Sequence, residues 1–377
     1  MTTIGILGAG QLGRMLALAG YPLGHRFRFL DPASDSPAGL LADHLALGYV
    51  DTSALEQFAN GLDVVTYEFE NIPVEAARHL ENFVPVYPPS LALEKAQDRF
   101  VEKSFFQELG IPTPKFTING LSHGLTDGNG FDKWTLSRTR REKRTLEDVG
   151  FPAVLKTRRM GYDGKGQSIV HSQAEVAAEK AEDCILEEFV SFDRELSIIA
   201  VRNRSGDTKF YPLIENHHRD GILRLSLVIG NVSTELQKQA EDYATRVMSA
   251  LKYVGVLTIE FFEKDGQLLA NEMAPRVHNS GHWTIEGAVT SQFENQVRAV
   301  TDAPLGNTNP LGVCAMVNLV GNIPDEKSIL KIDGAHLHLY DKAPRPKRKL
   351  GHITLVERDV ETLHKKLEMI KEVYAEF

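Results

Sequence analysis

Residues 257–287, "LTIEFFEKDGQLLANEMAPRVHNSGHWTIEG", carry the pattern that decides the fold of this chain. Glu260 and Glu272 lie in two apolar runs joined by Asp265 and Gly266, a dipeptide typical of a tight hairpin turn. If the two strands pair around this turn, both carboxylates face inward and would repel each other unless a cation lies between them. Carboxylate oxygens are ligands that Mg²⁺ prefers, so the stretch predicts a β-hairpin that carries a magnesium site.

A dense polar run follows this hairpin. Arg276 is succeeded by "HNSGH" (residues 278–282), and a buried strand would not tolerate so many polar side chains unless they met a ligand. We therefore expect this run to line a binding site.

A lysine and a glycine-rich loop lie upstream of the hairpin. Lys156 ends the apolar run "FPAVLK", and "GYDGKGQ" (residues 161–167) follows it. Glycine permits close backbone approach, backbone N–H groups can donate to oxygens, and lysines supply charge, so the loop suits a flap over polyphosphate. It lacks the G-K-[ST] sequence of a P-loop, and taken alone a glycine-rich hairpin after a buried strand is usually only a turn.

A third element is the apolar run "CILEEFVSFDRELS" (residues 184–197). Residues 187–190 can offer backbone N–H and C=O groups to an adenine edge, and Glu195 can then reach ribose hydroxyl groups. The alternative is a strand with ordinary exposed glutamates, which the run by itself favours. The order of lysine, flap, strand end and carboxylate pair along one chain favours a nucleotide site.

The N-terminus carries a different nucleotide signature. "GILGAGQLGR" (residues 5–14) is typical of a short strand that enters a glycine-rich turn. Gly8, Gly10 and Gly13 have the G-x-G-x-x-G spacing of a dinucleotide-binding loop. Asp31 ends a second strand, where such a fold keeps its ribose-binding acid. An NAD(P)-dependent oxidoreductase is therefore an alternative, although it leaves the carboxylate pair and the lysine without a role.

The composition is that of an ordinary soluble globular protein. The chain has 377 residues, 42% hydrophobic and 25% charged, and this length predicts two or three domains. A net charge of −9 argues against a general nucleic-acid-binding protein, because phosphate neutralisation needs a basic face. Cys184 and Cys314 show no C-x-x-C spacing, and no run reaches the roughly 18 to 20 apolar residues of a membrane span. We expect a cytoplasmic protein with neither a nucleic-acid nor a membrane partner.

Apolar runs that alternate with helical patterns predict a parallel sheet covered on both faces in the first hundred or so residues. Strands are expected at "TIGILG", "RFRFLD", "GLDVVTYEF" and "VPVYP", and helices near residues 11–20, 53–60 and 73–81. One amphipathic helix is expected over residues 91–109, ended by Gly110.

The rest of the chain shows strand patterns around one irregular stretch. Residues 119–148 are rich in Gly, Ser, Asn and Thr and then carry "SRTRREKR", which predicts an exposed loop or insertion. Strand patterns resume at residue 151. Residues 305–377 predict a smaller module with three strands and a closing helix near 359–375.

Together these motifs resemble those of the ATP-grasp superfamily. Their amino-acid sequences are similar to those of one of its families, the 5-(carboxyamino)imidazole ribonucleotide synthases of purine biosynthesis. The resemblance extends over nearly the whole chain. It rests on the runs "GILGAGQLGRM", "TYEFENIP", "QDR…K…GIPTP", "KTRRMGYDGKGQ", "EEFVSFDRELS", "ENHHRDGIL", "NEMAPRVHNSGHWT" and "APRPKRKLGH". The HNSGHWT run is typical of that family rather than of ATP-grasp enzymes in general.

The resemblance implies a mixed α/β and α+β protein with three parts. A Rossmann-like pre-ATP-grasp domain is expected at residues 1–98. An ATP-grasp domain is expected at 99–304, with a lid subdomain at about 115–190 that carries the unusual 119–148 loop. A small β-rich C-terminal domain is expected at 305–377.

The resemblance also implies roles for individual residues. The residues expected to bind ATP are Arg99, Lys156, Gly161, Tyr162, Asp163, Gly164, Lys165, Gly166, Gln167, Glu187, Glu188, Phe189, Val190, Glu195, His218, Asn271 and Glu272. Those expected around the acceptor substrate are Gln11, Glu70, Tyr162, Arg276, His278, Asn279, Ser280, Lys342 and Arg348. The expected metal ligands are Glu260 and Glu272, and the expected catalytic residues are Lys156, Asp163, Arg276 and His278.

The implied reaction joins ATP, bicarbonate and 5-aminoimidazole ribonucleotide, with Mg²⁺ as cofactor and carboxyphosphate as intermediate. Its products are N5-carboxyaminoimidazole ribonucleotide, ADP and phosphate, and the resemblance suggests a homodimer. The N-terminal glycine loop then walls the aminoimidazole pocket, with Gln11 in contact with the acceptor. A formate-dependent transformylase that acts on another purine intermediate shares the ATP site and is the alternative within the superfamily.

Overall fold

A computed structural model describes residues 1–118, 146–161, 164–178 and 183–377. In these parts of the chain the strands form three sheets, and the helices pack against them. The strands are β1 (Thr3–Leu7), β2 (Arg26–Leu30), β3 (Asp43–Leu45), β4 (Val64–Tyr67), β5 (Phe116–Ile118), β6 (Ala153–Thr157), β7 (Gln167–Val170), β8 (Cys184–Glu188), β9 (Arg194–Arg202), β10 (Thr208–Phe210), β11 (Ile214–Arg219), β12 (Ile222–Val228), β13 (Gly255–Lys264), β14 (Gln267–Ala274), β15 (Val313–Val320), β16 (Ala335–Leu339) and β17 (Lys349–Glu357). The helices are α1 (Gln11–Gly20), α2 (Thr52–Ala59), α3 (Val74–Leu80), α4 (Ser90–Ala96), α5 (Arg99–Glu108), α6 (Leu146–Val149), α7 (Gln173–Ala178), α8 (Thr234–Ala250), α9 (Thr284–Gly287), α10 (Gln292–Val300), α11 (Glu326–Leu330) and α12 (Val360–Val373).

The N-terminal sheet is parallel and has the strand order β3-β2-β1-β4. The three helices expected in this region are confirmed as α1, α2 and α3. The strand expected at "VPVYP" is wrong, because Val86 forms only an isolated parallel bridge with Val65. Pro85 and the two prolines after Tyr87 have no N–H to donate, so the ladder cannot extend in either direction. The short strand β3 was not expected.

The single helix expected over residues 91–109 is also wrong, since the structure has two helices there. The apolar period runs through both, but the chain leaves helical geometry at Asp98, whose carboxylate accepts hydrogen bonds from the backbone N–H groups of Phe100 (3.0 Å) and Val101 (3.4 Å). An aspartate at this position caps a new helix rather than continuing the old one. Gly110 ends α5 with a φ of 69°, as expected.

The lid sheet is antiparallel, with the order β5-β8-β6-β7. It contains the expected strand that ends near Lys156 and the expected strand that starts at Cys184. Of the irregular stretch 119–148, residues 119–145 lie outside the described parts of the chain.

The central sheet joins strands β9–β14 to the C-terminal strands β15–β17. Its order is β14-β13-β9-β11-β12-β15-β17-β16, with β10 paired to β9, and its pairs are antiparallel. The strands of residues 305–377 therefore continue this sheet, through pairs such as Leu225 with Val317. One end of the sheet carries the hairpin β13–β14, and the other end carries the C-terminal module.

The largest apolar cluster ties the N-terminal sheet to the central one. Helices α1 and α10 pack together, and the cluster includes Met15, Phe29, Trp283 and Phe293, all buried. Burial of one such side chain contributes about 1.5–3 kcal/mol. This packing fixes the glycine loop opposite the polar run that follows β14. No helix in the described parts of the chain is long and apolar enough to cross a membrane.

Candidate active site

One large cavity, of about 980 Å³, opens where the N-terminal domain, the hairpin β13–β14 and the C-terminal strands meet. Many of the residues expected at the site line it: Gln11, Glu70, Arg99, Gly161, Lys165, Glu260, Glu272, Arg276, His278, Asn279, Lys342 and Arg348. Other described residues expected to bind ATP are not among its lining residues. They lie on lid and central strands (Lys156, Gln167, Glu187, Glu188, Glu195, His218 and Asn271), in the segment directly after β8 (Phe189 and Val190) and in the flap (Gly164 and Gly166).

The two carboxylates of the hairpin are direct cross-strand partners. Glu260 on β13 pairs with Glu272 on β14, which confirms the expected hairpin. The turn residues Asp265 and Gly266 have φ values of 51° and 70°, the left-handed conformation that a tight hairpin turn requires. Sequence reasoning therefore placed these two acids correctly relative to each other.

The two acids have opposite titration behaviour. Burial and the neighbouring charge of Glu272 raise the pKa of Glu260 to about 7. Burial also acts to raise the pKa of Glu272, but the Arg99 guanidinium, 2.7 Å away, outweighs it and lowers that pKa to about 2. Arg99 thus holds the Glu272 carboxylate ionised. The Glu260 carboxylate, with a pKa of about 7, is only partly ionised at neutral pH, and a cation beside it would favour its ionised form.

The donor set fits a magnesium ion that shares its ligands with a nucleotide. In the described residues no group of three or more His, Cys, Asp or Glu side chains could hold a metal ion alone. Mg²⁺ sites commonly use one or two carboxylates, with phosphate oxygens and water completing the octahedron. Glu260 and Glu272 supply that pair of carboxylates.

A buried network of lysines and a glutamate lies beneath the hairpin. The Lys156 ammonium is 2.8 Å from a carboxylate oxygen of Glu187 and 3.3 Å from the side-chain oxygen of Asn271. Lys103 approaches the other Glu187 oxygen at 3.2 Å. Burial would raise the pKa of Glu187, but these two lysines outweigh it and lower that pKa. The Glu187 carboxylate is therefore engaged by lysines, and the backbone of Glu187 and Glu188 is paired with β5 and β6. Of the residues expected to hold adenine, Phe189 and Val190 lie beyond this ladder.

Two further residues expected near ATP meet on neighbouring strands. His218 on β11 contacts the carboxylate of Glu195 on β9 through its Nδ1 atom. Burial lowers the pKa of His218, but the hydrogen bond and charge of Glu195, with the charge of Glu260, outweigh it and raise that pKa. The pair forms a polar edge at the ribose position that the resemblance implies.

The flap packs against the turn between β11 and β12. A Cβ atom added to Gly221 would lie 2.5 Å from the Cα atom of Gly164, and one added to Gly164 would lie 2.8 Å from the carbonyl oxygen of Asp220. The two backbones can touch only because both residues are glycine. The expected site residues Tyr162 and Asp163 lie outside the described parts of the chain.

The middle of the cavity holds the residues expected at the reacting centre. The Arg276 guanidinium contacts the Glu70 carboxylate, and His278 Nε2 lies 3.4 Å from Glu260. Burial and the charge of Arg276 hold the pKa of His278 well below its usual range, so its imidazole is neutral. Ser280 is fully buried and bonds Ser197 and the His278 ring at 2.9 Å, so it supports His278 rather than lining the cavity as expected.

The far end of the cavity is basic. Lys342 contacts the side chain of Gln11, and the segment from Arg345 to Lys349 contributes its side chains to the wall. Asn279 pairs with Asn318 of the central sheet at 2.6–2.9 Å. A phosphate group at this end would face several cations.

The glycine-rich loop of the N-terminal domain is filled by the protein itself. Glu68, at the end of β4, accepts hydrogen bonds from the backbone N–H groups of Gly10 and Gly13. Asp31 accepts one from the N–H of Ala9 at 3.0 Å. Burial raises the pKa of Glu68. In a dinucleotide-binding protein these N–H groups face the pyrophosphate, so an internal carboxylate here occupies the anion position.

Comparison with known proteins matches the whole chain. Family models for a "Ribonucleotide synthetase preATP-grasp domain", an "ATP-grasp domain" and a "Phosphoribosylaminoimidazole carboxylase C-terminal domain" match residues 1–97, 132–293 and 314–366. The N5-carboxyaminoimidazole ribonucleotide synthase of Pseudomonas aeruginosa is 49% identical over 368 residues, 97% of each chain. The chain belongs to the N5-carboxyaminoimidazole ribonucleotide synthase family. A crystal structure of the Thermus thermophilus synthetase superposes with a TM-score of 0.88 at 52% identity, over 99% of each chain.

This family membership confirms the expected fold class of a pre-ATP-grasp domain, an ATP-grasp domain and a C-terminal domain. A synthase of this family from Aspergillus clavatus, 28% identical with a TM-score of 0.83 over 99% of each chain, is described in complex with ADP and 5-aminoimidazole ribonucleotide. The oxidoreductase alternative gains no support from any of these relatives, and Glu68 gives the physical reason.

Three residues of the site were missed by sequence reasoning: Glu68, Glu102 and Lys103. Lys103 follows Arg99 by four positions, a spacing that places both on one face of a helix, and this signal was available. Glu68 lies in "TYEFENIP", two residues before Glu70. Its contact with the glycine loop depends on the pairing of β1 with β4, and no local sequence signal predicts that pairing.

Proposed function

We propose that this protein carboxylates 5-aminoimidazole ribonucleotide with bicarbonate at the expense of ATP, in de novo purine biosynthesis. One observation carries the proposal beyond family membership. A single cavity links the carboxylate pair Glu260–Glu272, through Arg276 and His278, to the basic segment of residues 345–349. Such a cavity suits a nucleotide at one end, a phosphorylated acceptor at the other, and the reacting groups between them.

In the first step, a bicarbonate oxygen attacks the γ-phosphorus of ATP. The new P–O bond gives carboxyphosphate, and the bond to the β-phosphate oxygen breaks so that ADP leaves with its electron pair. Phosphoryl transfer is mainly a problem of charge stabilisation, and we assign it to Lys156, Arg99 and Arg276. When bound by Glu260 and Glu272, Mg²⁺ supplies charge neutralisation for the phosphate oxygens.

In the second step, carboxyphosphate breaks down to CO₂ and phosphate beside the acceptor. The exocyclic amine forms the new N–C bond to CO₂ and loses a proton, which the phosphate released in the same step can accept. Carboxyphosphate hydrolyses readily, so the site must exclude water while both species are present. The glycine contact between the flap and the β11–β12 turn supports a closing role for the flap. Asp163, assigned to steer or deprotonate the amine, lies outside the described residues and stays a prediction.

The acceptor is proposed to lie with its phosphate on Lys342 and Arg348 and its imidazole beside His278 and Asn279. The order of cations and polar groups along the cavity supports this orientation. We also propose domain boundaries at residues 98 and 304, a homodimer and a cytoplasmic location. The first is supported by the spans of the family models, and the other two rest on the resemblance.

The decisive experiment measures ATP hydrolysis by the purified protein with and without each co-substrate. We expect hydrolysis to depend on bicarbonate and to rise further with 5-aminoimidazole ribonucleotide. Glu272→Ala is expected to keep its fold and lose turnover. An absence of stimulation by both compounds would overturn the proposal, and stimulation by formate instead of bicarbonate would favour a transformylase.

A further inference from the structure

Two consecutive residues of helix α5 bind the backbone of β14 on both sides of Glu272. The Lys103 ammonium donates to the carbonyl oxygen of Asn271 at 2.9 Å. Glu102 accepts from the backbone N–H of Met273 at 2.6 Å. Both side chains are almost completely buried, at 0% and 2% exposure.

The hairpin needs such support because of its place in the sheet. Among the described strands β14 is at the edge of the central sheet, so none of them pairs with its outward-facing backbone groups. The register with β13 passes from Glu272 directly to Ala270, which leaves Asn271 as the extra residue of a β-bulge. A bulge bends the strand and redirects its side chains, so the direction of Glu272 depends on how this segment is held.

The charge of Lys103 exceeds what holding a backbone carbonyl would require. A neutral side chain can donate to one C=O group at far lower desolvation cost than a buried ammonium. The same Lys103 ammonium also lies 3.2 Å from Glu187, which holds Lys156. The helix supplies a third contact, from Arg99 to the Glu272 carboxylate at 2.7 Å. One helical turn therefore connects the metal-binding acid with the phosphate-binding lysine.

We propose that Glu102 and Lys103 are positioning residues that clamp the β14 backbone around Glu272 and so set the direction of the carboxylate pair. This inference rests on the proposed function, because it takes Glu260 and Glu272 as the ligands of a divalent cation. It predicts that loss of the clamp weakens binding of the cation and of the nucleotide phosphates, while the acceptor end of the cavity is unaffected.

The test measures cation binding directly, with Mn²⁺ as a spectroscopic probe. Free Mn²⁺ is counted by electron paramagnetic resonance in titrations of the protein with ADP present. Lys103→Met removes the donor and the charge at similar volume, and we expect at least tenfold weaker Mn²⁺ binding. The KM for 5-aminoimidazole ribonucleotide should change less than twofold. Glu102→Met should behave likewise, whereas Glu102→Gln keeps an acceptor for Met273 and should recover most of the affinity.

Glu263 provides the matched control. It lies farther along β13, is also buried, and forms an ion pair with Arg194 at 2.7 Å. Glu263→Met should lower the melting temperature as the clamp variants do, but leave Mn²⁺ binding within twofold of wild type. If Lys103→Met does not fold, the difference in Mn²⁺ affinity between Glu102→Met and Glu102→Gln tests the proposal by itself.

The outcomes separate the clamp from the proposed reaction. Weaker Mn²⁺ binding in the clamp variants, but not in Glu263→Met, supports the proposal. Equal Mn²⁺ binding in all the folded variants overturns it, even where their melting temperatures fall. If the proposed reaction is wrong, ATP hydrolysis by the wild-type protein will not depend on bicarbonate. This measurement is independent of Mn²⁺ binding.

Discussion

At the scale of single residues, the site works by giving identical side chains unequal surroundings. Glu260 and Glu272 face each other across one hairpin, yet only Glu272 has an arginine within hydrogen-bond distance. Burial without such a partner raises the pKa of Glu260, whereas Arg99 lowers that of Glu272. The same contrast separates Glu187, which two lysines hold ionised, from Glu102, which shares its surroundings with Glu272.

Glu102 makes a pH dependence of stability testable. Burial, and next the charge of Glu272, raise its pKa from 4.5 to about 8, against the opposing effects of Arg99, Lys103 and the N–H group of Met273. Between these two pH values the folded state keeps a proton that the unfolded state has lost. The free energy of unfolding contributed by this group therefore falls as pH rises through the window.

We expect Glu102→Gln to remove that dependence. The free energy of unfolding of the variant minus that of wild type should increase by at least about 1 kcal/mol between pH 5 and pH 8, since one pKa unit corresponds to about 1.4 kcal/mol. Urea unfolding of both proteins across this range, without nucleotide or Mg²⁺, measures it. Two stability profiles that stay parallel would contradict the prediction.

How much the sequence alone predicted differs between kinds of residue. The facing acids could be predicted because a hairpin turn fixes their register, and a turn is a local property of the chain. The Glu68 contact with the glycine loop could not, because it joins residues that only the parallel pairing of β1 and β4 brings together. Ser280 was expected in the cavity as part of a polar run, whereas a 3₁₀ turn over Asn279–Gly281 directs its side chain to the buried Ser197.

At the scale of secondary-structure elements, the break between α4 and α5 matters for the site. A continuous helix over this region was expected from its period, but Asp98 caps a second helix instead. The cap directs the first turn of α5, with Arg99, Glu102 and Lys103, at the hairpin. Asp98 also binds Arg158 of the segment that leads into the flap, at 2.7 Å. A local capping signal outweighed the hydrophobic period here.

The flap contact gives a prediction at the same scale. Gly221→Ala would place a methyl group 2.5 Å from the Gly164 backbone, so the flap cannot rest on the β11–β12 turn. We expect a loss of at least tenfold in kcat for bicarbonate-dependent ATP hydrolysis, with the fraction of carboxyphosphate lost to water increased. Steady-state kinetics with separate assays of ADP and carboxylated product measure both effects.

Gly230 is the matched control for this substitution. Its φ of 71° is close to the 72° of Gly221, but nothing lies within 4 Å of an added Cβ atom. Gly230→Ala therefore imposes the same backbone strain, about 1 kcal/mol, without a steric clash. Equal kinetics for the two variants would show that strain, and not flap contact, causes the effect.

At the scale of the whole molecule, two nucleotide-like signatures compete, and they differ in whether their anion-binding groups are already occupied. The N–H groups of Gly10 and Gly13 are taken by Glu68, while the cavity of about 980 Å³ lies open beside the carboxylate pair. We expect ATP with Mg²⁺ to raise the melting temperature, because a ligand at 100 times its Kd adds about 2.7 kcal/mol of stability. NADH and NADPH at the same concentration should leave it unchanged. A thermal-shift titration measures this, and a rise with either dinucleotide would refute the assignment of the loop.

The continuity of the central sheet has a consequence for engineering and for evolution. Because β15 is hydrogen-bonded to β12, the C-terminal module shares its backbone ladder with the strands that follow the nucleotide site. In a chimera that takes residues 305–377 from a related enzyme, the foreign β15 must pair in register with the β12 of this protein. We therefore do not expect this module to be exchanged as an independent unit that brings a new acceptor specificity. The described strands of the lid form a sheet of their own that is not paired with the central one, and recombination between relatives should be tolerated there first.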